Sequence, residues 1–165
     1  MYNENDYLVY KKDVCIVKEI KKSKIDDSIY YVLVPVSDNT LKIEVPAANR
    51  LGYIRDLISK EEVKRIINKI PNIEIIEVDD KNIENKYKEL LQKGGFEDLI
   101  KIIKTTYLRN KSREENKKKL SDKDSHYFKL AEKYLYTEFS IVLNMSYDDT
   151  KKYIEDTVKK LDTNE

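Results

Sequence analysis

At Ser59 the hydrophobic period of this chain changes from two to about 3.6, and that change divides the molecule. Upstream, Leu41-Lys42-Ile43-Glu44-Val45 alternates strictly, the mark of a strand with one buried face. Downstream, Ser59-Lys60-Glu61-Glu62 places Ser at a helix N-cap and Glu three residues on. Val63, Ile66, Ile67 and Ile70 then follow at helical spacing until Pro71. The predicted class is α+β: a small bent antiparallel sheet over residues 1–58, then a compact bundle of about five helices over 59–165.

Further strands are expected at Tyr7 to Tyr10, Val14 to Ile20 and Ile29 to Val34, with Ser37-Asp38-Asn39-Thr40 as the hairpin turn before Leu41. Pro46 cannot donate to a ladder and closes the last strand. Gly52 permits a turn, after which Arg55 is expected just ahead of the first helix. Beyond a linker from Asn72 to Asp80, a second helix carries Ile83, Tyr87, Leu90 and Leu91 and ends at Gly94-Gly95. A third uses Phe96, Leu99, Ile100, Ile103 and Tyr107. The fourth is announced by Ser121-Asp122-Lys123-Asp124, and the last by Ser146-Tyr147-Asp148-Asp149.

Composition removes several chemistries. With one Cys and one His there is no intrachain disulfide and no Cys/His zinc cluster. Cys15 lies in the apolar run Val14-Cys15-Ile16-Val17 and reads as a buried, inert thiol. No stretch supplies a nucleophile with its base, a phosphate loop or a cofactor box, so no enzyme, metal or cofactor is expected. No segment approaches the ~18 apolar residues of a membrane span and no signal pattern opens the chain, so the expected location is the cytoplasm. Charge is uneven despite a net value of +1. Lys104, Arg109, Lys111, Arg113, Lys117, Lys118 and Lys119 face only Glu114 and Glu115, either as a solvated helix end or as a phosphate-facing patch. Residues 74–84 are acidic instead.

Several motifs occur in a specific order. Asn5-Asp6-Tyr7-Leu8-Val9-Tyr10 is followed by Tyr31-Val32-Leu33, Val45-Pro46-Ala47-Ala48-Asn49 and Gly52-Tyr53-Ile54-Arg55. Leu120-Ser121 with Asp124, Ala131, Leu135 and Glu138 comes last. This series resembles the CarD/CdnL family of bacterial transcription regulators over nearly the whole chain. The resemblance implies a Tudor-like N-terminal module, shared with the transcription-repair coupling factor, that docks on the RNA polymerase β subunit. It also implies a helical domain touching promoter DNA at the upstream edge of the transcription bubble, no enzymatic activity, and association with the nucleoid through polymerase.

Three positions depart from the family pattern. The chain has no Trp, and the place of the family's wedge Trp falls near Asp79-Asp80. Glu44 stands where an Arg is usual, and Ser125 where a basic residue is common; Lys22 keeps positive charge at a second contact position. The polymerase-binding residues are therefore expected at Lys22, Lys42, Ile43, Glu44 and Val45, through addition of a partner strand to an edge. Weak, nonspecific DNA contact is expected at Lys81, Asn82, Lys86, Lys123 and His126, where two helices open. The alternative is a pure protein-protein interaction module that binds polymerase, or another partner, without touching DNA.

Overall fold

The computed structural model describes residues 1–163 and divides into two compact units, Met1–Ile58 and Ser59–Glu165. The first is a curled antiparallel sheet of five strands: β1 (Tyr7–Tyr10), β2 (Asp13–Lys22), β3 (Ile29–Pro35), β4 (Ile43–Pro46) and β5 (Ile54–Arg55). Their order is β4-β3-β2-β1-β5, so β4 and β5 are the two edges. Alternate residues turn inward onto one core of Leu8, Cys15, Val17, Tyr31, Leu33, Val45 and Ile54. The β2–β3 register shifts between Val17 and Glu19, and such a bulge adds twist and helps to curl a sheet.

Three expectations for this unit are corrected. β2 extends two residues beyond Ile20, which makes Lys22 its last residue, opposite Ile29. Leu41 and Lys42 lie outside β4, because Asp38 Oδ1 accepts from the amide (3.0 Å) and hydroxyl (2.6 Å) of Thr40 and the loop runs on to residue 42. Arg55 does not lead into the helix; it lies in β5, opposite Val9.

The second unit holds α1 (Lys60–Lys69), a single 3-10 turn (Ile70–Asn72), α2 (Ile83–Lys93), α3 (Phe96–Glu115), α4 (Asp122–Leu143) and α5 (Tyr147–Thr163). Ser59 Oγ accepts from the Glu62 amide at 3.1 Å, the N-cap bond that the serine's position predicts. Gly94, at φ 68°, ends α2 with its amide on the Leu90 carbonyl. α3 runs well past Tyr107 because nothing from Leu108 to Glu115 breaks a helix. It stops in a Schellman turn, with the Lys117 amide on Glu114 and the Lys118 amide on Arg113. Lys117 takes φ 57° there, a conformation that glycine adopts more readily. The buried face of α3 is Leu99, Ile100, Ile102, Thr105 and Thr106, which keeps the expected Leu99 and Ile100 in the core but leaves Ile103 half-buried and Tyr107 56% exposed.

Residues 73–80 form no helix or strand, yet they are tied down. Lys104 Nζ donates to the carbonyls of Ile70 (2.8 Å) and Ile73 (2.7 Å), and the Ile76 amide donates to Thr105 Oγ1 (2.9 Å). Lys104 thus caps the carbonyl end of the first helix rather than facing phosphate.

Candidate functional site

In the first unit the open edge is decided by which way the β4 amides point. The Ala47 amide donates to the Ile29 carbonyl at 2.9 Å, so residue 47 faces β3. Period-two alternation turns Val45 and Ile43 the same way and leaves the Glu44 N–H and C=O facing the open edge. Ile43 therefore spends its amide on β3, and Glu44 is the residue that offers a donor outward. Pro46, next on that side, has no N–H, which limits the length of any added strand.

The side chains of β4 follow the same alternation. Val45 is buried and Ile43 packs against the core, while Glu44 points out and pairs with Lys21 at 2.8 Å. Lys42 is exposed, and Lys22 lies 3.4 Å from Asp27 in an exposed pair. The sheet does not close between β4 and β5. A cavity of about 570 Å³ opens there, lined by Tyr10, Tyr30, Val45, Pro46, Leu51 and Tyr53 among others. Leu51 is 75% exposed at its rim. Tyr10 and Tyr53 meet edge-on at 6.2 Å, with Lys11 Nζ over both rings.

Asn49 is the residue whose role the sequence pattern did not explain. At φ 50°, its side chain substitutes for a strand beside β5: Nδ2 donates to the Ile54 carbonyl (2.9 Å) and Oδ1 accepts from the Ile54 amide (3.0 Å). This clamp satisfies one edge of the sheet with a side chain. It also fixes the loop that walls the cavity.

In the second unit, the starts of α2 and α4 come together. Tyr87 Oη donates to Asp124 Oδ1 (2.8 Å), Tyr127 Oη donates to Glu84 Oε1 (3.2 Å), and the two rings lie 5.0 Å apart. Lys81 and Asn82 precede α2, Lys86 lies in it, and Lys123 and His126 open α4, so these five residues share one end of the bundle. They share it with acids. Asp79, Asp80 and Glu84 stand among them, and Lys86 reaches Glu89 at 3.5 Å. His126 is exposed and packs edge-on against Tyr127 at 5.1 Å.

Asp80 is bound to a cation. Arg109 bridges it (2.7 Å) to Asp124 (2.9 Å), a carboxylate with no solvent exposure. The hydrogen bond from Arg109, reinforced by its charge, lowers the Asp80 pKa. Burial, and then the bond to Asp124, raises that of Tyr87. Arg109 is accordingly a structural link between residues 73–80, α3 and α4, and is withdrawn from the phosphate-facing patch.

Among the described residues no group of His, Cys, Asp and Glu is placed to hold a metal ion. No described helix is long and apolar enough to cross a membrane. No protein-family model matches the chain, and no curated protein matches it.

Proposed function

We propose that this protein is a transcription regulator of the CarD/CdnL kind, docking on the RNA polymerase β subunit and altering the lifetime of the open promoter complex without enzymatic chemistry. The observation that carries the reading is the open β4 edge, with the Glu44 N–H and C=O facing outward beside the β4–β5 cavity. An added strand draws affinity from main-chain bonds, so a Glu in place of the family's Arg does not abolish docking. Charge at Lys22, Lys42 and Glu44 tunes it. The Asn49 clamp supports the same reading, because it gives the Asn of the Val-Pro-x-x-Asn motif a structural task in this chain.

A second reading, the interaction module that does not touch DNA, is favoured by one observation. The cations at the α2 and α4 starts are interleaved with Asp79, Asp80 and Glu84, and carboxylates repel phosphate. The variant Lys81→Gln/Lys86→Gln/Lys123→Gln separates the two readings. If those residues contact promoter DNA, open-complex lifetime moves toward that of polymerase alone while polymerase binding is kept. An unchanged lifetime favours the module.

The docking test is a pull-down of polymerase β by the parent, Glu44→Pro and Glu44→Gln. Glu44→Pro removes an outward donor without breaking a β3–β4 bond, whereas Ile43→Pro would break the ladder itself. One lost hydrogen bond is worth about 0.5–1.5 kcal/mol, or roughly two- to twelvefold in affinity, before any clash of the ring with the added strand. Glu44→Gln should bind within a few-fold of the parent. Equal capture of folded Glu44→Pro protein would remove β4 from the interface.

A further inference from the structure

We propose that a face formed by the second half of α3, the α3–α4 turn and one side of α4 binds single-stranded nucleic acid, with a base in its cavity and phosphates on its lysines. The cavity measures about 240 Å³ and is walled by Tyr107, Leu120 and Phe128, with Lys111, Lys129 and one carboxylate, Glu114, at its margin. Tyr107 is 56% and Leu120 47% exposed, so an aromatic ring and an aliphatic lip stand open to solvent side by side.

Charge identifies the occupant as a polyanion. Leaving aside Lys123, residues 110–130 hold six Lys and Arg against four Asp and Glu, in a chain that is otherwise nearly neutral. One of those four, Asp124, is buried against Arg109 and offers nothing to the surface. Lys119 is loosely held by Asp122 at 3.8 Å, and Arg113 and Lys118 line a separate cavity with Asp80, but Lys111, Lys117 and Lys129 make no ion pair among the described residues. These cations are therefore available to an external anion.

The α3–α4 turn is held in place from both sides. Asn110 Nδ2 donates to Ser125 Oγ (3.1 Å), its Oδ1 accepts from the Ser121 amide (2.9 Å), and the Schellman turn fixes Lys117 and Lys118. A preformed turn lowers the ordering cost of binding. The rings distinguish single strands from duplex. An aromatic side chain stacks on a base only where that base's face is free, and stacking tolerates any base. This face is separate from the α2–α4 starts. At roughly 100° per residue, Ser125, Phe128 and Lys129 lie on one side of α4, and Lys123 and His126 on another. The inference rests on the second unit alone, so its failure leaves docking through β4 standing.

The test is fluorescence anisotropy of the full chain with an oligothymidylate of roughly twenty nucleotides and with a duplex of equal length, across about 50 to 200 mM salt. The single strand should bind more tightly than the duplex. Tyr107→Ala, an exposed position, should weaken single-strand binding about tenfold, the scale of one lost base–aromatic stack, and leave duplex binding unchanged. Lys111→Gln/Lys129→Gln should flatten the salt dependence by about 1.4 in log–log slope, two phosphate contacts' worth. Equal or tighter duplex binding, an unaffected Tyr107→Ala protein, or polyglutamate competing as well as the oligonucleotide would each overturn the proposal.

Discussion

Asp124→Ala removes the carboxylate on which three elements of the helical unit converge. In the parent it accepts from Tyr87 Oη at 2.8 Å and Arg109 Nε at 2.9 Å, with no solvent exposure. Without it the Tyr87 hydroxyl is left buried and unpaired, a cost of about 1–3 kcal/mol. Arg109 loses a buried partner, and breaking a buried pair costs about 3–5 kcal/mol. The two costs share one cause and do not add. Arg109 is 23% exposed and keeps Asp80, so the lower end applies, about 3 kcal/mol. Asp124→Asn keeps an acceptor oxygen and should cost less. In urea, with m of about 1–3 kcal/mol/M, the alanine variant should unfold about 1–3 M earlier. The described helices all lie in the second unit, so the far-UV helical signal follows that unit. Tyr87→Phe combined with Asp124→Ala should cost less than the sum of the two, because they remove the same bond. An alanine variant within about 0.5 kcal/mol of the parent would refute the role given to this network, since that is the range of an ordinary surface change.

Cys15 is buried, and burial, with the Asp13 charge, pushes its thiol up to about 11. Iodoacetamide near neutral pH should therefore label it only when the sheet opens, and labelling of the folded chain at the rate of a free thiol would contradict its placement. Lys117→Gly relieves the αL strain at the end of α3 and should stabilise the helical unit by about 0.5–1 kcal/mol in urea titration, where an unchanged midpoint would argue against that strain. Tyr87, Tyr136 and Tyr147 all have pKa values raised, chiefly by burial. The unfolded chain releases these protons first, so their contribution is full below about pH 10 and falls as pH rises toward the folded values. Stability measured against pH should drop over that alkaline window, and a flat profile would place these hydroxyls in solvent.

The helical unit was easier to anticipate than the sheet because its signals are local. The Ser59 cap, the Gly94 terminator and the α1 stripe each depend on residues within a turn or two of one another. β5 has two residues and carries no periodicity to detect. The end of α3 was hidden because Lys117, rather than Gly, takes the left-handed position. Asp80, Arg109 and Asp124 look like solvated charges in sequence, and only packing across 29 and 15 residues makes them one network. The outward amide of Glu44 depends on strand register, which the long loop between β3 and β4 obscures. The motif containing Asn49 was visible, but its clamp on Ile54 exists only once β5 has formed.

Residue-resolved amide hydrogen exchange across β4, with and without polymerase β, tests the docking claim most directly. Val45 donates to β3 and should be protected in both states, whereas the Glu44 amide faces the open edge and should exchange rapidly in the free protein. On binding, Glu44 should become protected as the added strand accepts its hydrogen. Slowed exchange elsewhere in the first unit, with Glu44 still rapid in a saturated complex, would contradict strand addition at this edge.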